Sequence, residues 1–318
     1  LAALDAKAAL AGWLAGFVFW SAVPLGGLLL LLMTRVIPGG WRDEIAPVSE
    51  MLTMILPLVV LAVLPVLIGS QMLYPWTAEP AAQGFRGVYL SVWFFSLRSV
   101  LFLAGAIVLG FLTAMRPAWS LPLGAGGLIA FTLFDAVIAV DWLMSLEPQF
   151  HSSGFGLYVI SIQASIALMT VVIVRLIADP ANVRPPLLGA LMLTALLLWE
   201  YFVFMQYFII WSENLPKQVA WFKERDAGPW SAAEVAFCLL DLGPTFLLFF
   251  PAIRRSRRCL LALAAAVLVA KAIEIAWLVF PATRASFAVS LVAAILALLG
   301  LGLLSIGFFG WIARSSRA

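Results

Sequence analysis

The segment Cys259–Phe280 reads CLLALAAAVLVAKAIEIAWLVF, a run of mostly apolar residues. A helix needs about 20 consecutive, mostly apolar residues to cross the hydrocarbon core of a bilayer, and this segment supplies them. Two charged residues, Lys271 and Glu274, interrupt it near the middle. A charge at that depth costs at least about 2.5–3.5 kcal/mol, so it is rarely kept without a partner or a function. The segment therefore predicts a membrane helix that faces a polar interior.

The same composition extends over the whole chain. Hydrophobic residues make up 64% of the 318 residues and charged residues 11%, and the mean hydropathy is +1.08. These values exclude a soluble globular domain. We predict an all-α integral membrane protein, a single polytopic membrane domain over residues 1–318 with about nine transmembrane helices. The predicted spans are 11–33, 51–73, 88–114, 120–144, 155–178, 187–212, 231–251, 259–280 and 287–312. Four prolines inside spans are expected to kink them: Pro24, Pro57, Pro65 and Pro244.

The distribution of Lys and Arg over alternate loops predicts the orientation of the chain. One side of the predicted bundle collects most of the arginines: Arg35, Arg42, Arg116, Arg175, Arg184, Arg254, Arg255, Arg257, Arg258, Arg314 and Arg317. The basic residues of the other side are partly neutralised by acids such as Glu79. We therefore expect the arginine-rich side and the C-terminus to be cytoplasmic, with Leu1 outside. A tenth span before Leu1 would explain the odd number of helices.

Ionisable residues inside the predicted spans form the candidate site. They are Arg98, Asp135, Asp141, Glu200, Glu234, Asp241, Lys271 and Glu274. Glu234 and Asp241 are seven residues apart and share a helix face, and Lys271 and Glu274 are three apart and can pair. Asp141 is expected to lie close enough to the end of its helix to reach water.

These residues have two interpretations that the sequence leaves open. In the first, the carboxylates form a half-channel for protons that opens to the outer face, and Arg98 and Lys271 tune them. In the second, the charges only pair and hold helices together. A secondary transporter is a third class, but it should show inverted repeats, and we find none in the sequence.

The predicted outer loops carry a second group of residues. His151 could contact a quinone carbonyl or relay a proton, although a solvated surface histidine is the simpler interpretation. Ser152 or Ser153 is expected to cap the following helix. Trp211 and Trp221 flank a segment predicted to lie on the membrane surface as part of an aromatic belt.

Several other classes of function are excluded or unsupported. The chain has no P-loop, no dinucleotide-binding glycine motif, no nucleophile elbow and no metal-spaced His/Cys set. With one histidine and two cysteines it cannot by itself hold a bis-His haem or a Cys-ligated iron–sulfur cluster. A net charge of +3 is too small to indicate nucleic acid as a partner.

Four stretches together resemble a known family. The run from Trp199 to Pro216 is similar to the pattern W-x-Y-x-x-F-x-Q-Y-x-I-x-W-x-x-N-x-P of the ActF subunits of bacterial alternative complex III, a quinol:cytochrome c oxidoreductase. The segment from Asp141 to Pro148, with Ser152 after it, resembles the family's DW-x-MS-L-EP…S segment. The family pattern also matches, in the same order along the chain, the early segments with Gly39-Gly40-Trp41 and Leu73-Tyr74-Pro75-Trp76 and the helix end Ile273–Pro281. The family usually has Asp where this chain has Glu274, which keeps a carboxylate.

The resemblance implies a fold, a cellular location and a set of partners. It implies a membrane subunit of the NrfD/PsrC-like superfamily in the bacterial inner (plasma) membrane, built around four-helix bundles. Its partners would be an ActC-like sister subunit, an iron–sulfur subunit and multihaem or monohaem cytochrome c subunits, with lipids around it. This chain would carry no metal and no covalent cofactor, although it could contact a quinone or menaquinone, and it would offer protons a carboxylate-lined path.

Overall fold

The computed structural model describes residues 5–78, 84–115, 120–213, 216–226 and 228–315. Within these ranges 87% of the residues are helical and none is in a strand. Within them, eight helices are long and apolar enough to cross a bilayer, and a bent pair of helices would make a ninth. The prediction of an all-α, multi-pass membrane protein is therefore confirmed. Some residues used above for orientation lie outside the described ranges: Leu1, Glu79, Arg116 and Arg317.

The helices follow one another through short connections. In chain order they are α1 (Ala6–Val36), α2 (Arg42–Thr53), α3 (Leu56–Ile68), α4 (Ser70–Leu73), α5 (Phe85–Tyr89), α6 (Val92–Met115), α7 (Ser120–Trp142), α8 (Phe155–Ala178), α9 (Pro185–Glu213), α10 (Pro216–Arg225), α11 (Pro229–Leu248), α12 (Pro251–Arg255), α13 (Arg257–Thr283) and α14 (Phe287–Ser315). Two short 3₁₀ helices cover Pro75–Thr77 and Met144–Leu146.

The long helices form two groups of four. In the first group α1, the α2–α3 pair, α6 and α7 pack against one another, and in the second group α8, α9, α11 and α13 do so. Helix α1 also contacts α8 and α13, which joins the two groups, and α14 packs along α1. This arrangement agrees with the expectation of four-helix bundles.

Close packing around α1 depends on glycine at two positions. A Cβ atom at Gly12 would overlap the backbone oxygen of Ser290 on α14, and one at Gly26 would overlap the backbone oxygen of Gln163 on α8. Small residues let helix backbones approach in this way, which is how membrane helices gain packing energy without a hydrophobic driving force. Most of α1 is consequently buried inside the protein.

The second predicted span differs from the prediction. It was expected as one helix over 51–73, but α2 and α3 meet at a break near Met54 and are bent by 50°. Pro57 does not kink a helix, because it lies in the first turn of α3, where its missing N–H costs nothing. The other three prolines named above lie inside α1, α3 and α11.

Polar contacts identify the two ends of the bundle. At one end Glu44 of α2 accepts hydrogen bonds from Arg175 at the end of α8, at 3.1 Å, and from Arg184 just before α9, at 2.9 Å. We call this the arginine end. The opposite end carries His151 between α7 and α8, and we call it the histidine end.

Candidate functional site

Three charged side chains meet in the second group of helices and form what we call the central cluster: Asp241 of α11 with Lys271 and Glu274 of α13. The Lys271 Nζ atom donates to Asp241 Oδ2 at 2.9 Å and to Glu274 Oε2 at 3.0 Å. All three side chains are 0% exposed. The predicted pair of Lys271 and Glu274 is confirmed, and Asp241 joins it from a neighbouring helix.

Two aromatic residues complete the cluster. The Tyr158 hydroxyl of α8 donates to Glu274 Oε1 at 2.5 Å, and the Trp199 Nε1 of α9 donates to the same oxygen at 2.9 Å. The Lys271 ammonium also lies 3.3 Å from the centroid of the Trp199 ring, in a cation–π contact. Side chains from all four helices of the second group, α8, α9, α11 and α13, therefore meet at the central cluster.

The central cluster has one more acid than base. Two carboxylates around one ammonium sum to −1, and burial of a net charge is costly. The Asp241 Oδ1 atom is buried without a hydrogen-bond partner in the described ranges, and so is Glu200 Oε1 on α9. A proton on one carboxyl group would bring the cluster to neutrality and supply a hydrogen-bond donor.

Two cavities lie on the histidine-end side of the cluster. The outer one, of about 300 Å³, lies between α9, α10 and α11 and includes Lys223 and Asp226 in its wall. The inner one, of about 90 Å³, is lined by Tyr158, Gln206 and Cys238 among others. A single water needs only roughly 10–15 Å³ of such space, so the inner cavity has room for several waters beside polar atoms.

The two cavities adjoin each other at Glu234. Glu234, Tyr207 and Phe222 line both of them. The Glu234 side chain is half-buried and makes no hydrogen bond or ion pair with another described residue. Because Tyr158 lines the inner cavity and also donates to Glu274, polar groups follow one another from the histidine end to the central cluster.

Helix α10 forms one wall of the outer cavity, and Arg225 fastens it to the bundle. The Arg225 guanidinium is 1% exposed and donates to Glu147 Oε1 at 2.5 Å. It also donates to the backbone oxygens of Trp221, Trp277 and Leu278. Burial lowers the pKa of Arg225 from its usual value, and the adjacent Glu147 carboxylate opposes that shift.

Asp141 does not reach water as predicted. It is 1% exposed, and both of its oxygens accept from Arg98 of α6, at 2.6 and 2.9 Å. The Arg98 guanidinium also donates to the Tyr89 backbone oxygen and lies over the Tyr89 and Phe94 rings. Burial, and then the charge of Asp141, raises the pKa of the Tyr89 phenol to about 12. The Arg98 guanidinium takes the place of water around the Asp141 carboxylate.

Asp135 lies in a separate contact between the two groups of helices. It is 0% exposed, and Gln163 of α8 donates to its Oδ1 at 3.2 Å. Its Oδ2 and the Gln163 Oε1 are buried without a partner among the described residues. Of the eight predicted site residues, the contacts thus unite Asp241, Lys271 and Glu274, and they place Asp135 in a different pair.

The predictions for the loops are partly wrong. His151 is exposed, as the simpler interpretation of a solvated surface histidine predicts, and it lines neither cavity. Gly154 occupies the N-cap position of α8 without a side-chain hydrogen bond, and the Ser152 hydroxyl lies 3.4 Å from Gln206 Oε1 instead. Helix α10 exists where a helix was expected, but Trp221 is buried against Phe150 rather than part of an exposed belt.

Sequence reasoning gave no functional role to several residues of the site. Tyr158 and Trp199 sit in apolar runs that are typical of lipid-facing or core positions. Glu147 belongs to the segment Asp141–Pro148, and Arg225 lies in a polar stretch between two predicted spans. Gln206, a polar residue inside an apolar span, was a sequence signal for a polar cavity at this place. Its side chain lines the inner cavity.

Comparison of the sequence with protein-family models and with curated proteins finds no match to either. The assignment of function therefore depends on the geometry described above and on the resemblance of the sequence motifs.

Proposed function

We propose that this protein is a membrane subunit of a quinol-oxidising respiratory or photosynthetic complex, similar to the ActF subunits, and that it carries a proton path in its second group of helices. Partner subunits oxidise the quinol. This chain accepts or releases the accompanying protons through Glu234, Glu274 and Asp241, with Lys271 holding the two deeper carboxyl groups in place.

The observation that carries the proposal is the sequence of contacts between the histidine end and Asp241. Water in the two cavities can exchange protons with Glu234. The Tyr158 hydroxyl then links the inner cavity to Glu274. Lys271 bridges Glu274 to Asp241. Carboxylates and hydroxyls in such an order are typical of intramembrane proton relays.

Asp241→Asn tests the path in the assembled complex. Asparagine keeps the shape of the side chain but cannot exchange a proton at this position. We expect the turnover that is coupled to proton transfer, and the proton yield per quinol, to fall while assembly persists. The control is Asp179→Asn, an equivalent change in a partly exposed acid that pairs with Arg175 at the arginine end. Unchanged turnover and proton yield in Asp241→Asn would contradict the relay.

The same contacts favour a second candidate, a subunit in which the charges only hold the helices together. Lys271 clamps Asp241 and Glu274, and Arg98 clamps Asp141, with almost complete burial in each case. Under this alternative, neutralising Lys271 or Glu200 would reduce assembly, and each complex that did assemble would keep normal activity. The two cavities that adjoin each other at Glu234 are the feature that favours the relay.

Partners and ligands are part of the proposal. Purification from native membranes is expected to recover an ActC-like subunit, an iron–sulfur subunit and cytochrome c subunits with this chain. Recovery as a homo-oligomer without redox partners would instead favour a transporter. A quinone or menaquinone contact at His151 stays a prediction, and quinone-dependent protection of His151 from chemical modification would test it.

A further inference from the structure

A group of four arginines at the arginine end is not used by the proton path. Arg254 and Arg255 end α12, and Arg257 and Arg258 begin α13, so that Ser256 alone separates the two pairs. Arg255, Arg257 and Arg258 are exposed, and Arg254 is half-buried. We call these four residues the arginine patch.

The patch lacks counter-charges within the part of the chain that the structure describes. None of its four side chains makes a hydrogen bond or ion pair there. The acids that lie at the same end are engaged by other arginines, in pairs that involve Arg35, Arg175 and Arg184. Four guanidinium groups so close in sequence therefore create a local positive potential that an anion from outside the chain could neutralise.

The fold holds the patch in a fixed place. A Cβ atom at Gly189 of α9 would come within 2.8 Å of Arg254 Cγ and 3.2 Å of its Cα, so the glycine allows α12 to lie directly against α9. The Arg254 Nε atom is buried at this contact without a partner among the described residues. The patch is thus attached to the bundle rather than carried on a long loop.

An apolar surface adjoins the patch. Phe246 and Phe249 near the end of α11, and Phe250 before α12, are 65%, 56% and 48% exposed. The rings of Phe246 and Phe250 contact each other edge to face, with centroids 5.5 Å apart. A ligand that satisfies both features needs a negative head and an apolar body. Soluble phosphate meets only the first requirement, and a neutral lipid meets only the second.

We propose that the arginine patch binds the head group of an anionic phospholipid of the surrounding bilayer, with the acyl chains lying along Phe246, Phe249 and Phe250. Arginine suits this role because its planar guanidinium donates two parallel hydrogen bonds to phosphate oxygens. Each basic residue next to a membrane span raises the affinity for anionic lipid by roughly fivefold at moderate salt.

The test uses the full-length chain, together with the subunits that co-purify with it, in phosphatidylcholine nanodiscs with increasing amounts of phosphatidylglycerol. Native mass spectrometry counts the phosphatidylglycerol molecules that stay bound. The variant is Arg255→Gln/Arg257→Gln/Arg258→Gln, and the matched control is Lys7→Gln/Arg86→Gln/Arg284→Gln, which removes three exposed basic residues at the histidine end that line neither cavity. We expect the patch variant to need at least about tenfold more phosphatidylglycerol for the same occupancy, and the control to behave like the original protein.

Further arms separate the sources of the effect. Replacement of the same three arginines by lysine should retain most of the bound lipid, because the charge is kept. If the glutamine variant is not recovered folded, each single Arg→Gln change should still lower the occupancy. Equal retention in the patch and control variants would overturn the proposal. Displacement of the lipid by millimolar inorganic phosphate, or release of an acidic protein partner in place of lipid, would also overturn it. None of these outcomes depends on the proton path.

Discussion

The Tyr158 hydroxyl on α8 donates a 2.5 Å hydrogen bond to Glu274 Oε1 on α13. Tyr158 also lines the inner cavity, whereas Glu274 is 0% exposed and bound to Lys271. This hydrogen bond therefore connects the inner cavity near the histidine end to the buried central cluster. A hydroxyl can accept a proton on one side and donate one on the other, as a relay at this position requires.

Water access to the inner cavity can be measured at Cys238, which lines it. In a Cys259→Ser background, a small charged methanethiosulfonate should modify Cys238. Val203→Trp fills the same cavity and should slow modification at least about tenfold, a change of about 1.4 kcal/mol in the barrier. Val235→Trp is the control, because Val235 is 58% exposed on the outside of α11. Equal rates in the two tryptophan variants would show that the reagent does not enter through this cavity.

Removal of the Lys271 ammonium should destabilise the bundle. Lys271→Met leaves Asp241 and Glu274 buried without their cation, and the loss of one partner from a buried ion pair costs about 3–5 kcal/mol. The measurement is unfolding of the purified protein in detergent. The double variant Lys271→Met/Asp241→Asn should recover part of the loss, because one of the two acids is neutralised. Additive losses in the double variant would mean that Lys271 and Asp241 do not interact.

The ion pair of Arg98 and Asp141 is expected to stabilise the folded protein and to have no role in turnover. Arg98→Met and Asp141→Asn should each lower stability by roughly 3 kcal/mol, since each leaves a buried partner unsatisfied. Combining the two changes should cost less than the sum of the single losses. Turnover per assembled complex should stay normal, because Asp141 lies against a guanidinium and not against the cavities. A loss of turnover in Asp141→Asn at normal assembly would add Asp141 to the relay after all.

The packing of α14 on α1 is expected to depend on Gly12. Gly12→Ala forces a methyl group into the Ser290 backbone and the Ala293 side chain, and such overpacking costs about 1–3 kcal/mol. The control is Gly302→Ala on α14, because a Cβ there meets nothing within 4 Å. That control should be neutral or slightly stabilising, since alanine favours helix. Thermal unfolding measures the difference, and equal melting temperatures of the two variants would contradict the close approach at Gly12.

Apolar length alone predicted where most helices lie. The segment 155–178 was predicted as a span and is α8, because nothing polar enough to end a helix falls inside it. The bent second span shows where this reasoning fails. The charged residues at the start of α2 suggested a loop, but Glu44 is buried by Arg175 and Arg184, which are 131 and 140 residues away in sequence. Sequence spacing carries no information about such distant partners.

The candidate site was also predictable from the sequence only in part. Lys271 and Glu274 lie three apart on one helix, so helical geometry predicted their pairing. Their contact with Asp241 joins different helices, and it depends on how α11 and α13 pack. Tyr158 and Trp199 have side chains that are common in any membrane helix, and only their hydrogen bonds to Glu274 reveal their role. Local periodicity therefore identifies the charged residues, and tertiary packing decides which of them meet.

The contact between α1 and α14 has a consequence for biosynthesis. The ribosome makes α1 long before α14, yet α14 covers the side of α1 that carries Gly12 and Gly16. During translation this face of α1 must therefore rest against lipid, or against the insertion machinery, until the closing helix arrives. In a chain truncated before α14, the face of α1 that carries Gly12 and Gly16 would stay uncovered. Quality-control proteases could then recognise the truncated protein by this exposed face, even though its other helices had already packed together.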